Sequence, residues 1–302
     1  MQQGKPSETA MRVSMAVVAA RQDEALRPLA RHADEPYLEW FVRDHSDGAR
    51  RYLEAWTSRE DTPVIRILRR RMAEGAGLFT LLRKLYVEDA AAAALAGGTR
   101  QLLVLGAGYD PLALRLCGAF ADLRAFEVDH PATQQVKRRV LEARGAHPPN
   151  LALVPVDFTA EAADDALVAA GHDPARPTFV VCEGTLMYLA PPEADAVFVL
   201  AARLAAPGSR FVFTWVDAQL LAAGADAAAL ARALESAGEP LRSSRDPDTL
   251  APFLAGHGFR LAALGDAAAL RARYLEPHGI ARPLSPLEYA VLAERADRDP
   301  SS

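Results

Sequence analysis

The chain has 302 residues, of which 50% are hydrophobic, and a formal net charge of −5 at pH 7, which suits one α/β domain with or without a helical cap. No basic stripe with interleaved aromatic side chains is present, so nucleic acid is not expected as a partner. The two cysteines, Cys117 and Cys182, lie far apart and have no CxxC neighbour, which argues against a disulfide framework or a zinc site and indicates a reducing cytoplasm.

The first 96 residues are predicted to form a helical cap. Residues 1–10 are small and polar without periodicity, which predicts disorder, and they lack the basic-then-apolar order of a signal peptide. A helical pattern extends from about Met11 to Ala96. The predicted helices are Met11–Ala30, Tyr37–Asp44, Ala49–Trp56, Pro63–Ala73 and Leu78–Leu95. A helical segment ahead of the first strand is typical of a cap over an active site.

Strands and helices alternate in the first half of residues 97–302. The predicted strands are Gln101–Leu105, Leu123–Asp129, Leu151–Val156, Thr178–Cys182 and Arg210–Val216. The helices predicted between them are Pro111–Gly118, Pro131–Ala143, Glu161–Ala169 and Pro192–Ala205. Continuous apolar strands alternating with helices predict a doubly wound α/β sheet that is mostly parallel, as in Rossmann-like folds.

The alternation stops after Val216. A helical insertion is predicted near 217–245, with an Ala-rich helix at Leu220–Ala237 that is too short and too polar to span a bilayer, so no membrane partner is expected. Phe259–Leu264 and Leu270–Leu275 are predicted to close the sheet as an antiparallel pair, giving seven strands. Such a final hairpin distinguishes a methyltransferase sheet from a dehydrogenase sheet.

The segment Val104–Asp110 (VLGAGYD) joins a buried strand to a helix through two glycines. A glycine at the carboxyl end of a parallel strand lets the backbone approach a ligand closely, and open α/β sheets bind ligands there. We therefore predict that Gly106, Ala107 and Gly108 bind a cofactor. Pro111 stands where a dinucleotide site would have its third glycine, which favours a ligand without phosphate, such as S-adenosylmethionine. A tight strand–helix turn without a ligand is the alternative.

Two carboxylates, Glu127 and Asp129, end the second predicted strand about 20 residues after the glycines. A carboxylate at this place can accept hydrogen bonds from both hydroxyls of a ribose. Alternation along a strand puts both side chains on one face, and only the last clears the strand end. We therefore assign the ribose to Asp129 rather than Glu127. The alternative is that either carboxylate caps the helix that begins at Pro131.

Asp157 and Phe158 follow the third predicted strand. The carboxylate can accept a hydrogen bond from the amino group of an adenine, and the phenyl ring can cover the base. An equally good interpretation is that Asp157 caps the helix predicted to begin at Glu161.

The segment Cys182–Leu189 (CEGTLMYL) follows the fourth predicted strand, at the point where the strand order of such a sheet reverses. Glu183 can either bind the ammonium group of a bound methionine moiety or hold the loop. Tyr188 is more often a packing residue at such a place, and contact with the acceptor is the second possibility.

Four segments, in this order and spacing, resemble the leucine carboxyl methyltransferase family. They read QLLVLGAGYDPLALRL, FEVDHPATQQVKRRVL, VPVDF and EGTLMYL. The upstream EPYLEWFV resembles the DPY segment of that family. The likeness extends over about Arg83 to Val216 and more loosely over the cap, and together the four segments are far more specific than the two glycines alone.

The resemblance implies a class I methyltransferase that uses S-adenosylmethionine. It implies backbone contact at Gly106, a ribose contact at Asp129 and adenine contacts at Asp157 and Phe158. It also implies that Glu183 faces the methionine part of the cofactor. An arginine shortly before the first strand pairs with the cofactor carboxylate in this family, and the resemblance gives that role to Arg83 and a weaker assisting role to Arg21. Bacterial members commonly carry Asp-Thr-Arg after the glycines, whereas this chain has Asp110, Pro111 and Leu112.

The acceptor is expected to be an oxygen atom of a small molecule, such as a carboxylate of a polyketide-type metabolite. A carboxylate is deprotonated at pH 7 and needs no general base, whereas a phenol with a pKa of about 10 would benefit from one. No Ser–His–Asp or Cys–His arrangement is visible, so positioning is the expected mechanism, with Tyr188 and His45 as weak candidates for a catalytic role. No metal site is predicted, and the oligomeric state is left open.

Two other functions stay open at this point. One keeps the chemistry but takes the carboxyl terminus of a protein as the acceptor, which would require a cap that fits a large partner. The other is an NAD-dependent oxidoreductase or nucleotide-binding module. Pro111, which stands in the place of a third glycine, argues against this function.

Overall fold

A single mixed sheet of seven strands organises the chain, in a computed structural model that describes residues 7–29, 31, 35–57, 74–157, 163–223, 232, 235 and 240–296. The strands are β1 (Gln101–Leu105), β2 (Arg124–Asp129), β3 (Leu151–Pro155), β4 (Thr178–Cys182), β5 (Arg210–Val216), β6 (Phe259–Gly265) and β7 (Glu288–Arg295). Their order across the sheet is β3-β2-β1-β4-β5-β7-β6. The predicted Rossmann-like sheet with its antiparallel C-terminal strands is confirmed.

The first five strands are parallel, so their carboxyl ends meet at one edge of the sheet. β1 pairs with β2 on one side, with Leu103 opposite Phe126, and with β4 on the other, with Leu103 opposite Val180. The chain order therefore reverses beside β1, and this is where open α/β sheets bind ligands. β7 is antiparallel to both of its neighbours, β5 and β6.

Helices cover both faces of the sheet, which explains why β1 and β4 are buried at every residue. The helices are α1 (Glu8–Gln22), α2 (Tyr37–His45), α3 (Asp47–Thr57), α4 (Gly75–Ala96), α5 (Leu112–Ala119), α6 (Pro131–Glu142), α7 (Ala163–Ala169), α8 (Pro191–Leu204), α9 (Ala218–Ala223), α10 (Leu250–Gly256) and α11 (Ala267–Leu270). None of the described helices is both long and apolar enough to cross a membrane.

The helices before β1 share an apolar core with one face of the sheet. Phe41 of α2 and Leu82 of α4 are buried in the same cluster as Leu102 and Val104 of β1. Burying each such side chain contributes about 1.5–3 kcal/mol. The described helices of the predicted cap, residues 1–96, therefore pack directly on the sheet of the region predicted to bind the cofactor, residues 97–302.

The beginning of the chain differs from the prediction. Residues 7–10 were expected to be disordered, but the Ser7 hydroxyl accepts a hydrogen bond from the Ala10 amide and caps α1, which begins at Glu8. The single predicted helix Met11–Ala30 is divided, because α1 ends at Gln22 and the 3₁₀ helix Glu24–Leu29 follows. The predicted helix Pro63–Ala73 lies outside the described residues.

Of the two strands predicted to close the sheet, one is confirmed and the other is wrong. Phe259–Leu264 does form β6, but Leu270–Leu275 is helical, because Asp266 caps α11 through the Ala269 amide and a π turn at Arg271–Leu275 continues it. The seventh strand is β7, whose buried residues alternate with the pleat at Tyr289, Val291 and Ala293 on one face. Of the predicted helix Leu220–Ala237, the structure describes the part within α9 and little beyond it.

Candidate active site

A cavity of about 490 Å³ lies at the carboxyl edge of the parallel strands. Its floor is formed by the loops after β1, β2, β3 and β4, and one side of its roof is formed by Ser7, Ala10 and Ser14 at the start of α1. A volume of this size is ordinary for a pocket that binds a cofactor or a small molecule. The start of α1, which the sequence left as a disordered segment, is thus part of the site.

The loop after β1 follows a path that requires glycine. Gly106 and Gly108 have φ angles of 72° and 50°, in the left-handed region. A Cβ on Gly106 would overlap the Thr185 hydroxyl, and one on Gly108 would lie 3.1 Å from the Cβ of Ala10. The Gly106 and Ala107 amides both donate to the Val128 carbonyl, so the loop lies tightly against β2 and turns its backbone toward the cavity.

Asp129, at the tip of β2, lines the cavity and organises its floor. Its carboxylate accepts hydrogen bonds from the Gly108 amide at 2.6 Å and the His130 amide at 2.7 Å. Burial raises the pKa of Asp129, although these two amides oppose the shift. His130 itself caps α6, because its Nδ1 accepts from the Ala132 amide.

Glu127 points away from the cavity. Its carboxylate lies 2.6 Å from the Lys137 ammonium, and both side chains are 1% exposed. Burial raises the pKa of Glu127 to about 7 against the attraction of Lys137. The two carboxylates of β2 thus have different surroundings, and Asp129 alone of the two lines the cavity.

Asp157 follows β3 and lines the same cavity. Its Oδ2 lies 3.9 Å from Nε2 of His130, which places it beside the tip of β2. Its predicted partner Phe158 lies outside the described residues, so the ring predicted to cover the adenine stays a prediction.

A buried charge cluster forms the wall near β4. Arg83 of α4 is 4% exposed, so it is not a charge on the solvent face of its helix. Its Nε donates to Glu183 at 2.9 Å and its Nη1 to Glu288 of β7 at 2.5 Å. Lys84 donates to Asp110 at 2.6 Å and to Glu183 at 3.1 Å. Although burial opposes charge here, the carboxylates raise the pKa of both Arg83 and Lys84.

Lys84 is a site residue that the sequence analysis missed. It lines the cavity together with Arg83, Asp110 and Glu183. The available signal was its position directly after Arg83, but adjacent residues on a helix normally diverge by about 100°. Arg83 and Lys84 nevertheless both reach the site, because the Glu183 carboxylate accepts hydrogen bonds from the guanidinium of one and the ammonium of the other.

Tyr188 also lines the cavity, from the 3₁₀ turn Leu186–Tyr188. His45 does not line it. The His45 ring is 3.0 Å from the Tyr109 hydroxyl and 3.2 Å from a carboxylate oxygen of Glu8, so it supports Tyr109 from behind. His45 is therefore not among the residues that the structure brings together at this cavity.

Arg21 also lies outside the main cavity. Its guanidinium is 3.5 Å from the Glu35 carbonyl, and it lines a separate small cavity of about 30 Å³ behind Lys84 and Glu183. Within the described part of the chain, no three His, Cys, Asp or Glu side chains are grouped so that they could hold a metal ion.

Comparison with known proteins gives consistent matches. A family model described as leucine carboxyl methyltransferase matches residues 13–202. A protein of Streptomyces coelicolor with the provisional name S-adenosyl-L-methionine-dependent methyltransferase is 38% identical over 196 residues, covering 63% of this chain and 65% of that protein. One of Mycolicibacterium smegmatis with the same provisional name is 34% identical over 224 residues, covering 70% of this chain and 67% of that protein. In these alignments the chain spans about two thirds of the relatives' length.

Solved structures give the same fold. A structure from Thermobifida fusca, provisionally named a methyltransferase, matches with a TM-score of 0.54 and 20% identity over 98% of this chain and 97% of that chain. At this level of identity the likeness concerns the arrangement of strands and helices.

Proposed function

Because this chain belongs to the leucine carboxyl methyltransferase family, we propose that it is an S-adenosylmethionine-dependent O-methyltransferase. The observation that carries the proposal is the convergence of Gly106, Asp129, Asp157 and Glu183 on one cavity. These residues come from four strand tips, and the family resemblance relates each of them to a part of the cofactor. Bound there, S-adenosylmethionine supplies a methyl group that is activated by a sulfonium.

The adenosine half of the cofactor would lie over the tips of β2 and β3. Asp129 already accepts two backbone hydrogen bonds, and a carboxylate can accept more than two, so it can also accept from the ribose hydroxyls. Gly108 lies under this position and has no side chain to obstruct it. Asp157 would accept from the adenine amino group. A ligand without phosphate suits this floor, since two carboxylates line it.

The methionine half would lie against the charge cluster at β4. Arg83 and Lys84 can pair with the cofactor carboxylate, and Glu183 can accept from its ammonium group while it holds both cations in place. A cluster of two cations and the carboxylates of Asp110, Glu183 and Glu288 also favours a cationic sulfonium beside it. The chain's role in the transfer is then to align the acceptor and exclude water.

We propose a carboxylate of a small molecule as the acceptor, with a hydroxyl as the second possibility. The one histidine among the described residues of the lining is His130, which is engaged as a helix cap and faces Asp157. This supports a reaction without a general base, and a carboxylate acceptor needs none at pH 7. We place the reaction in the cytoplasm, because Cys117 and Cys182 are buried and unpaired.

Calorimetric titration of the full chain with S-adenosylhomocysteine, and separately with NAD, tests this proposal. We expect S-adenosylhomocysteine to bind with a stoichiometry of about one per chain and NAD not to bind. Transfer of a labelled methyl group to organic acids, compared with alcohols of the same skeleton, tests the choice of acceptor. Binding of NAD without S-adenosylhomocysteine would overturn the proposal.

A further inference from the structure

A second cavity, of about 340 Å³, adjoins the first. Arg242 lines both cavities, so the two meet at this side chain. The apolar part of the second lining comes from Pro191, Trp215, Leu221 and Leu241, and the polar part from Asp195, Arg242, Ser243, Ser244 and Arg245. None of these residues belongs to the set assigned to the cofactor.

The two arginines of this cavity lie on a backbone segment that is held on both sides. At one end, the Arg242 amide donates to the Met187 carbonyl at 2.7 Å, beside Tyr188 of the main cavity. At the other, the Arg245 amide donates to the Val216 carbonyl at 2.9 Å. Between them, the Ser243 hydroxyl donates to the Leu186 carbonyl and accepts from the Trp215 indole. The segment therefore joins the loop after β4 to the end of β5.

Arg245 is a cation without a counter-ion among the described residues. Its guanidinium lies 3.7 Å from the centre of the Phe253 ring and 4.9 Å from that of Trp215. Its Nε is buried and has no hydrogen-bond partner. A buried donor without a partner is unfavourable, and an anion in the adjoining cavity would provide the missing acceptor and the missing charge.

Arg242 has a weak partner. Its Nη1 lies 3.4 Å from Oε2 of Glu193, and its side chain is 48% exposed. The same Glu193 oxygen accepts from the Ala190 amide at 2.6 Å at the start of α8, so Glu193 is already engaged. Arg242 can therefore turn toward an anion. Asp195, exposed on α8, is the one carboxylate among the described residues that line the second cavity.

We propose that the second cavity binds the acceptor molecule as an organic anion with an apolar body. Arg245 and Arg242 would pair with one anionic group of it, a carboxylate or sulfonate that does not react, and Trp215, Leu221 and Leu241 would contact the apolar part. The reacting oxygen, which belongs to a second carboxylate or to a hydroxyl of the same molecule, would extend past Arg242 into the main cavity, toward the methyl group. This inference rests on the proposed function, because it identifies the second cavity as the place of the acceptor.

The test uses 1-naphthalenesulfonate as the probe and the neutral 1-naphthalenemethanol as its matched comparison. Both are titrated by calorimetry into the full chain saturated with S-adenosylhomocysteine. We expect the sulfonate to bind and Arg245→Met to weaken its binding by about 10- to 100-fold, as expected for loss of a hydrogen-bonded charge pair. Arg203→Met, which removes an exposed arginine paired with Asp164, is the control and should leave binding unchanged.

A second variant tests the inference while leaving Arg245 and its packing against Phe253 and Trp215 unchanged. Asp195→Asn removes a negative charge from an exposed helix position and should tighten sulfonate binding by about 2- to 5-fold, with no effect on the neutral alcohol. Equal binding of the sulfonate and the alcohol would overturn the inference, and so would sulfonate binding that neither variant changes.

The titration is repeated without S-adenosylhomocysteine, which separates the two proposals. If S-adenosylhomocysteine fails to bind while the sulfonate still binds in a manner that depends on Arg245, the second cavity is an anion site and the methyltransferase proposal fails. If S-adenosylhomocysteine binds and the sulfonate does not, the methyltransferase proposal stands and the second cavity is not the place of an anionic acceptor.

Discussion

Asp129 and Glu127 lie two residues apart on β2, face the same side of the sheet and have opposite surroundings. Asp129 lines the main cavity, and Glu127 is closed off beside Lys137. Strand alternation and the family resemblance both predict that Asp129 binds the ribose, and of the two carboxylates it is the one that lines the main cavity.

Asp129→Asn is expected to weaken binding of S-adenosylhomocysteine by about 10-fold or more, since the amide loses a charged acceptor for hydroxyl hydrogen bonds. Glu127→Gln is the matched control. It changes the same chemical group behind the cavity and should change the affinity little. Calorimetric titration of both variants measures this, and similar dissociation constants for Asp129→Asn and the unmodified chain would contradict the ribose role.

His172 gives the fold a dependence on pH that is independent of the active site. It is 3% exposed, its Nε2 lies 3.2 Å from the Thr178 hydroxyl, and its Nδ1 has no partner. Burial lowers the pKa of His172 from 6.5 to about 4. Between these two pH values the unfolded chain therefore binds more protons than the folded chain. The free energy of unfolding must then rise with pH across this range.

We expect the contribution of His172 to be complete above pH 6.5 and to be lost as the pH falls toward 4, with a size of about 3 kcal/mol. Urea unfolding at several pH values, for the unmodified chain and for His172→Gln, measures it. The difference in unfolding free energy between the two should change with pH between about 4 and 6.5, because a glutamine cannot take up this proton. His278→Gln, at an exposed turn, should keep the slope of the unmodified chain, and an unchanged slope in His172→Gln would refute the assignment.

At the residue scale, the sequence was informative where a residue's place follows from its own strand. The tips of β1 to β4 were found because apolar runs end there in glycine or carboxylate. Lys84, Arg242 and Arg245 were not found, because each faces its cavity through contacts with distant segments. Glu183 lies 99 residues from Lys84, and no local periodicity indicates such a pairing.

At the scale of elements, Arg83 joins three parts of the fold. It belongs to α4 and bonds to Glu183 in the loop after β4 and to Glu288 at the start of β7. The residue predicted to bind the cofactor therefore also fastens the helical region to the sheet.

Arg83→Met is expected to lower the free energy of unfolding by about 3–5 kcal/mol, because Glu183 and Glu288 would keep buried charges with one partner fewer. Adding Glu288→Gln should restore part of this loss. Arg203→Met, which breaks an exposed pair with Asp164, should cost less than about 1 kcal/mol. Denaturant unfolding measures all of these variants, and a loss for Arg83→Met no larger than for Arg203→Met would show that Arg83 does not hold these elements together.

The elements that the sequence predicted wrongly are those without a distinct local pattern. The segment Leu270–Leu275 contains enough apolar residues for a short strand, yet a helix capped by Asp266 has already begun at Ala267, three residues earlier. β7 was missed because its sequence, EYAVLAER, suits helix as well as strand. Its pairing with β5 over seven residue pairs decides the matter, and this is information from the tertiary structure.

At the scale of the whole molecule, the helical cap and the sheet share one apolar cluster that includes residues of α1, α2, α4, β1 and β7. The division at residue 96 separates two kinds of architecture along the chain. It does not separate two cores.

We therefore expect the full chain to unfold in one calorimetric transition, with equal van't Hoff and calorimetric enthalpies. Saturation with S-adenosylhomocysteine should move this single transition to higher temperature. At a ligand concentration 100 times the dissociation constant, the free energy of unfolding should increase by about 2.7 kcal/mol. Two resolved transitions, of which the ligand moves one, would show that residues 1–96 unfold separately.

The position of β7 within the sheet limits when the sheet can form during synthesis of the chain. β7 is the last of the seven strands to be synthesised, yet it lies between β5 and β6. Until the ribosome has released residues 288–295, β5 has an unpaired edge that can join strands of other chains, and Arg83 lacks Glu288. A chain truncated shortly before this strand should thus aggregate and fail to bind the cofactor, even though it contains every glycine and carboxylate that lines the main cavity.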